Sequence, residues 1–259
     1  MKSFEGKVAL VTGGSRGIGR AICEKLAAGG ASVAINFSQK ADEKFPGAPE
    51  EALSSILRDG VEAILVEGDV ADSTAVHRMV DTTLQRFGHI DILVNNAGIC
   101  PMLDFFDITE SVWDRVHAVN LKGVFLCTQA VARHMVDQKI KGRIICISSV
   151  GSIIGTPTQI HYCPTKAGIN MFVKSLASVL SPLGITVNAV LPGDIATDIS
   201  REWDEANPDE IQRYINRCPV RRRGQPEDIA AVVSFLASAE AAFVTGSLYL
   251  VDGGISAVM

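Results

Sequence analysis

The chain has 259 residues, 47% hydrophobic and 20% charged, with a formal net charge of -5. That length and apolar content suit one large core and argue against disorder. The mild acidity gives no electrostatic reason to expect nucleic acid or an anionic membrane as partner.

The six cysteines (Cys23, Cys100, Cys127, Cys146, Cys163, Cys218) are scattered, with no C-x-x-C pair and no histidine cluster. The pattern argues against a zinc site or a disulfide framework and for a reducing compartment. Neither a signal-peptide core nor a bilayer-length apolar run is found. The expectation is a cytoplasmic protein that uses no metal.

In chain order, Val8 to Val11 is a short apolar run rich in β-branched residues, predicted as a buried strand. It leads into Thr12-Gly13-Gly14-Ser15-Arg16-Gly17-Ile18-Gly19. Ala21, Ile22, Leu26 and Ala27 then mark one helical face that stops at Gly29-Gly30. Strand, glycine-rich turn and helix in that order predict a phosphate cradle, where main-chain N–H groups and the helix dipole face an anion. Gly13, Ser15, Arg16, Gly17, Ile18 and Gly19 are its candidate residues.

Ser32 to Phe37 is the second strand. A site selecting NAD would carry an acid near its end, about twenty residues past the glycines, to hold the ribose 2′-hydroxyl. Here Asn36, Phe37 and Ser38 stand instead, and Arg16 can pair with a 2′-phosphate. NADP(H) is therefore favoured over NAD(H), unless a longer loop brings back Asp42 or Glu43. Gln39 to Glu50, with Pro46, Gly47 and Pro49, reads as a loop.

A helix from about Glu50 to Arg58 and a strand from Glu62 to Val66 follow, the strand ending in Gly68-Asp69-Val70. Asp69 either meets an adenine or caps the next helix, and capping is the weightier reading. A helix around Ala75 to Phe87 returns to the strand Ile90 to Val94, which ends in Asn95-Asn96-Ala97-Gly98. Asn120 lies inside an apolar helical pattern and needs a hydrogen-bond partner for its amide. The strand Arg143 to Ile147 runs into Ser148-Ser149. Gly184 to Val190 opens into Leu191-Pro192-Gly193-Asp194-Ile195-Ala196-Thr197, and Ala242 to Gly254 gives the last strand and a turn. This alternation predicts one doubly wound parallel sheet, with every motif on its ligand edge.

Tyr162 and Lys166 are four residues apart at the start of a helical pattern, so their side chains share a face. Pro164 fits only in the first turn of that helix. A free phenol has a pKa near 10, and an ammonium one turn away favours the phenolate, which makes Tyr162 a candidate proton carrier. The run Arg221-Arg222-Arg223 reads as a solvated turn rather than a phosphate or subunit contact.

Taken together, Thr12-Gly13 with Gly17-x-Gly19, Asn95-Asn96-Ala97-Gly98, Ser149, Tyr162-x-x-x-Lys166 and Pro192-Gly193 resemble the short-chain dehydrogenase/reductase family over essentially the whole chain. The resemblance implies a single Rossmann-type α/β domain over residues 1–259. Its sheet would have about seven parallel strands with helices on both faces. It implies a catalytic set of Asn120, Ser149, Tyr162 and Lys166, with Ser149 taken over Ser148 by family spacing. Lys166 would lower the phenol pKa and bind ribose, and Asn120 would position a water. Phe37, Ser38, Asp69, Val70, Asn95, Asn96, Ala97, Gly98, Pro192, Gly193, Ile195 and Thr197 join the cofactor site, with Tyr162 and Lys166.

Residues 198–219, with Trp203, Tyr214 and Ile215, are expected to form a mobile lid. The substrate expected is a small alcohol or carbonyl compound. The pattern Ile99-Cys100-Pro101 with His161-Tyr162-x-Pro164-Thr165-Lys166 looks more like aldose 1-dehydrogenases than 3-oxoacyl-carrier-protein reductases, which favours a sugar or polyol. A reductase of ketones or oxoacyl groups is the alternative, and a non-catalytic nucleotide-binding regulator the remote one. The Pro101 to Phe106 loop, Gln159 and His161 are candidate pocket residues. Relatives suggest a homotetramer built around the C-terminal strand.

Overall fold

Short β-branched runs flanked by amphipathic segments can bury both faces of a strand only where helices cover the sheet on each side. The computed structural model, which describes residues 3–58, 60–198 and 201–258, has this architecture. The strands are β1 (Val8–Val11), β2 (Ser32–Phe37), β3 (Ala63–Glu67), β4 (Ile92–Asn95), β5 (Arg143–Ile147), β6 (Thr186–Pro192) and β7 (Leu248–Val251). All pair in parallel in one seven-stranded sheet, ordered β3-β2-β1-β4-β5-β6-β7.

The helices are α1 (Gly17–Ala28), α2 (Gln39–Asp42), α3 (Ala48–Leu57), α4 (Ser73–Phe87), α5 (Glu110–His117), α6 (Gly123–Asp137), α7 (Cys163–Leu180), α8 (Arg201–Ala206), α9 (Pro208–Arg217) and α10 (Pro226–Ala237). Pleating divides the core into two layers. Leu10, Ile144 and Cys146 pack with Val76 and Met79 of α4, Val131 of α6 and Val173 of α7. Their chain neighbours Ala9, Val11, Ile145 and Ile147 pack with Ile22 of α1, Ile56 of α3 and Val233 of α10. Each fully buried Val, Leu, Ile or Met side chain among them contributes about 1.5–3 kcal/mol.

The chain crosses from β3 to the far side of β1 before forming β4. The loops after β1 and β4 therefore leave the sheet in opposite directions and open a crevice at its C-terminal edge. The motifs described above lie on this edge.

Three local readings change. Residues 39–50 are not a plain loop: they hold α2 and the first turn of α3. Gly47 (φ 86) precedes α3, and Pro49 sits in its opening turn, so the apparent loop signals are helix-start signals. Asp72, not Asp69, caps α4 by accepting from the Thr74 N–H. Asn120 lies in a π-helical turn, Ala118–Lys122, between α5 and α6. No helix among the described residues is long and apolar enough to cross a membrane.

Candidate active site

The crevice is a cavity of about 850 Å³, the size expected for a ligand-binding site. Its nucleotide end is built by the glycine turn. Gly13 and Gly17 have φ of 60 and 53, and a Cβ on Gly19 would stand 2.0 Å from the Gly13 carbonyl oxygen. No side chain caps α1 and no acid stands in its first turn, so its leading N–H groups face the cavity with a partial positive charge. Together the open cradle and the uncapped helix fit a dinucleotide diphosphate.

Asn36, read from sequence as a residue beside the ribose, is a staple. Its Oδ1 accepts from Gly13 N (3.2 Å), and its Nδ2 donates to the Val66 (3.2 Å) and Gly68 (3.0 Å) carbonyls. Asn96 donates to the carbonyls of Thr12 (3.0 Å) and Gly13 (2.9 Å). The Thr12 hydroxyl in turn accepts from Asn96 N and Ala97 N. Asn95 turns into the core towards Thr128 and Cys146 and leaves the lining to Asn96, Ala97 and Gly98.

Asp69 accepts from Ala71 N (3.0 Å) and pairs with Arg115 (2.9 Å). Burial pushes its carboxyl up, but these two donors more than offset that and hold it below the usual range. Asp42, carried back by α2, accepts from Ser15 and from Arg16 at the cavity edge. Of the two acids that sequence allowed a longer loop to bring back, Asp42 and Glu43, it is Asp42 that returns, so Arg16 already has a carboxylate partner.

At the other end, Tyr162 immediately precedes α7, and Lys166 follows one turn in, with Pro164 in the first turn. Lys166 is 4% exposed; its Nζ donates to the Ile147 carbonyl (2.8 Å) and lies 5.4 Å from the Tyr162 ring centre. Burial lowers the lysine from 10.5 to about 8. Burial also raises the Tyr162 phenol, with Cys100 adding to the rise and a hydrogen bond with Ser149 opposing it. The expectation that the ammonium makes this phenol acidic thus fails, because burial raises the phenol and the hydrogen bond with Ser149 opposes it only in part.

Ser149 Oγ accepts from Gly151 N (3.0 Å), whereas Ser148 donates to the Lys166 carbonyl (3.1 Å) and is buried. Ser149 is thereby the serine that meets Tyr162. Asn120 does not line the cavity. Its amide accepts from Ile99 N and donates to the Ile99 carbonyl, both at 2.9 Å, and so clamps the segment after β4.

Of the cofactor residues predicted from sequence, all but Asn95 (Gly13, Ser15, Arg16, Gly17, Ile18, Gly19, Phe37, Ser38, Asp69, Val70, Asn96, Ala97, Gly98, Tyr162, Lys166, Pro192, Gly193, Ile195 and Thr197) line the cavity. Of the substrate candidates, Gln159 lines it and His161 does not, being buried. From the loop 101–106 Met102 contributes, while Phe106 is 95% exposed and faces solvent. Trp203 and Tyr214 also line it, Ile215 does not, and residues 199–200 of the expected lid lie outside the described residues.

Several site residues had no local sequence signal. Arg223 bridges Asp194 and Asp204, each at 2.7 Å, and the Tyr214 hydroxyl accepts from Asp194 N (3.1 Å). Arg222 pairs with Asp228 at the start of α10. Within the basic run Arg221 (φ 60) and Arg222 stay exposed in a turn, as expected, while Arg222 and Arg223 also form ion pairs. Cys100 lines the cavity, with its thiol pushed up to about 12 by burial. No cluster of His, Cys, Asp or Glu among the described residues could hold a metal.

A family model described as enoyl-(acyl carrier protein) reductase matches residues 13–256. The chain is 42% identical over 255 residues to an L-rhamnose 1-dehydrogenase (NAD(P)(+)) of Sphingomonas sp., covering 98% of each chain. It is 43% identical over 256 residues to a 3-oxoacyl-[acyl-carrier-protein] reductase of Synechocystis sp., covering 98% of this chain and 99% of that one. A solved structure from Agrobacterium tumefaciens, provisionally assigned as a 2-deoxy-D-gluconate 3-dehydrogenase with bound NADP, is similar with a TM-score of 0.88. The two are 37% identical, with 98% of each chain covered.

Proposed function

Since the chain belongs to the short-chain dehydrogenase/reductase family, and is an NAD(P)-dependent oxidoreductase acting on CH–OH donors, we propose that its substrate is a sugar or polyol, oxidised as by an aldose 1-dehydrogenase. The observation that carries the catalytic reading is the meeting of Tyr162, Ser149 and Lys166 at one end of a cavity whose other end is the glycine cradle. The bound nicotinamide supplies the carbon that takes or gives hydride and, when oxidised, a positive charge.

The protein's part is the proton. Tyr162 takes it from the substrate hydroxyl, or returns it to a carbonyl oxygen, while Ser149 holds that oxygen by a hydrogen bond. Lys166, fixed by the Ile147 carbonyl, stabilises the phenolate as it forms. Asn120 acts as a positioning residue through Ile99.

A polar pair beside Ser149 supports the sugar reading. Thr156 donates to Gln159 Oε1 (2.9 Å), and the Gln159 side chain otherwise meets sulfur, the Met102 thioether (3.6 Å) and the Cys100 thiol, both weak partners. Its N–H groups retain donor capacity for a substrate hydroxyl. The likeness to L-rhamnose 1-dehydrogenase points the same way. A 3-oxoacyl reductase is the second reading, favoured by Met102, Ile154 and Trp203, which line the same cavity.

NAD(P)+ reduction over a panel of aldoses including L-rhamnose, set against NADPH oxidation with an acetoacetyl thioester, tests the assignment. Turnover of aldoses alone supports the sugar reading, and turnover of the thioester alone overturns it. Nucleotide binding with neither activity makes the protein a regulator.

Within the same proposal, NADP(H) is preferred over NAD(H) through Arg16 and Ser38, and residues 198–219 act as a lid. The chain works as a cytoplasmic homotetramer. Free cysteines among the described residues suit that compartment, and exposed Phe125, Met171 and Leu250 suit assembly. Light scattering that returns a monomer counts against the last point.

A further inference from the structure

The acid that an NAD-selecting site would carry at the end of β2 is absent, yet a carboxylate reaches the same end of the cavity from α2. Asp42 is only 8% exposed and borders the cavity beside Phe37 and Ser38. It accepts from Ser15 Oγ (3.1 and 3.0 Å) and from Arg16 Nε (3.0 Å). The Arg16 Nη2 donates to the Ala41 carbonyl (3.3 Å), and the guanidinium lies 4.2 Å over the Phe45 ring. The arginine is therefore held on three sides, with its charge already matched by a carboxylate.

We infer that Asp42 is a cofactor-selecting residue, which tempers the preference for NADP(H) so that both nicotinamide cofactors are accepted. The inference rests on the reading of this cavity end as the adenosine ribose site. A 2′-phosphate brings close to two negative charges. It finds Arg16 with free N–H groups on Nη1 but with its charge shared, and it must also lie near the Asp42 carboxylate. A 2′-hydroxyl meets the opposite balance. A carboxylate offers about four acceptor positions, and Ser15 and Arg16 do not fill them, so Asp42 can accept from the ribose. One ion pair thus presents a cation to NADP(H) and an acceptor to NAD(H).

Asp42 stands five residues beyond Phe37, past the strand end where such an acid is ordinarily sought. It returns to the site only through the single turn of α2.

Calorimetric titration of NADP+ and NAD+ against the full-length protein, without substrate, tests the inference. Asp42→Asn keeps a carbonyl for Ser15 and Arg16 but removes the charge. It should raise the ratio Kd(NAD+)/Kd(NADP+) by about tenfold, the worth of one charge-assisted hydrogen bond. Asp42→Ser, a second neutral variant, should move the ratio in the same direction, and Arg16→Met should lower it. An unchanged ratio in the neutral variants, or equal weakening of both cofactors, overturns the role given to Asp42. Wild-type protein that binds neither nucleotide overturns instead the reading of the site itself.

Discussion

Lys166→Met separates the chemistry of this site from its stability. The ammonium is almost wholly buried, and burial lowers it from 10.5 to about 8. At about 1.4 kcal/mol for each tenfold change in proton affinity, that depression places about 3 kcal/mol of destabilisation on the folded protein at pH 7. Methionine matches the stem and removes the charge, but it leaves the Ile147 carbonyl without its donor, which costs about 1–2 kcal/mol. The balance is a gain of about 1–2 kcal/mol, or about 2–6 °C in Tm for a chain of this size.

The variant should thus melt higher than wild type while losing nearly all turnover. The pH dependence has a definite sign. The folded value lies below the unfolded one, so wild-type stability from this group is lowest below pH 8 and recovers as pH rises towards 10.5. Buried Cys23 and Cys127, whose values are raised by burial, oppose that recovery above pH 9, but they lie apart from Lys166, are common to both proteins and cancel in the difference. Calorimetric melts at pH 7 and at about pH 9.5 should show the gap between variant and wild type shrinking. A variant that melts at or below wild type at pH 7, or a gap independent of pH, refutes the argument.

Tyr162→Phe removes the proton carrier but leaves the cradle, so kcat should fall about 10²–10⁴-fold with nucleotide Kd unchanged; near-normal turnover would exclude the assigned role. Gly19→Ala drives a Cβ to 2.0 Å from the Gly13 oxygen and 2.5 Å from Asn96 Nδ2. It should destabilise the fold by about 1–3 kcal/mol and weaken nucleotide binding, and wild-type affinity and Tm would contradict that contact. Arg223→Met removes the cation shared by Asp194 and Asp204, so substrate KM should rise several-fold with nucleotide Kd unaffected. Limited proteolysis should then cut faster between residues 198 and 219, and an unchanged digestion pattern would speak against a tethering role.

What sequence made legible here is what repeats locally. The strands alternate with amphipathic helices at short range, so the parallel sheet follows from pattern alone, and β1, β2 and β5 fall at the predicted bounds. Tyr162 and Lys166 are joined by one helical turn, and the glycine run announces its strand-to-helix turn. Contacts between distant segments left no such trace. Asp42 reaches Ser15 across 27 positions, Arg223 reaches Asp194 across 29, and Asn120 reaches Ile99 across 21. Composition gives no periodic signal for pairs of this kind. The phenol failed as an expectation for a different reason: charge proximity is visible in spacing, whereas desolvation depends on what the rest of the fold places around the group.

The side chain of Asn96 ties the carbonyls of Thr12 and Gly13 to the chain leaving β4, while Thr12 holds that chain from the other side. The two shores of the crevice are thereby moored to each other before any ligand arrives. Docking of a dinucleotide has no floor to assemble, so little ordering entropy is lost at that end of the site. Encounter should proceed at a rate governed by diffusion and orientation rather than by rearrangement of the cradle.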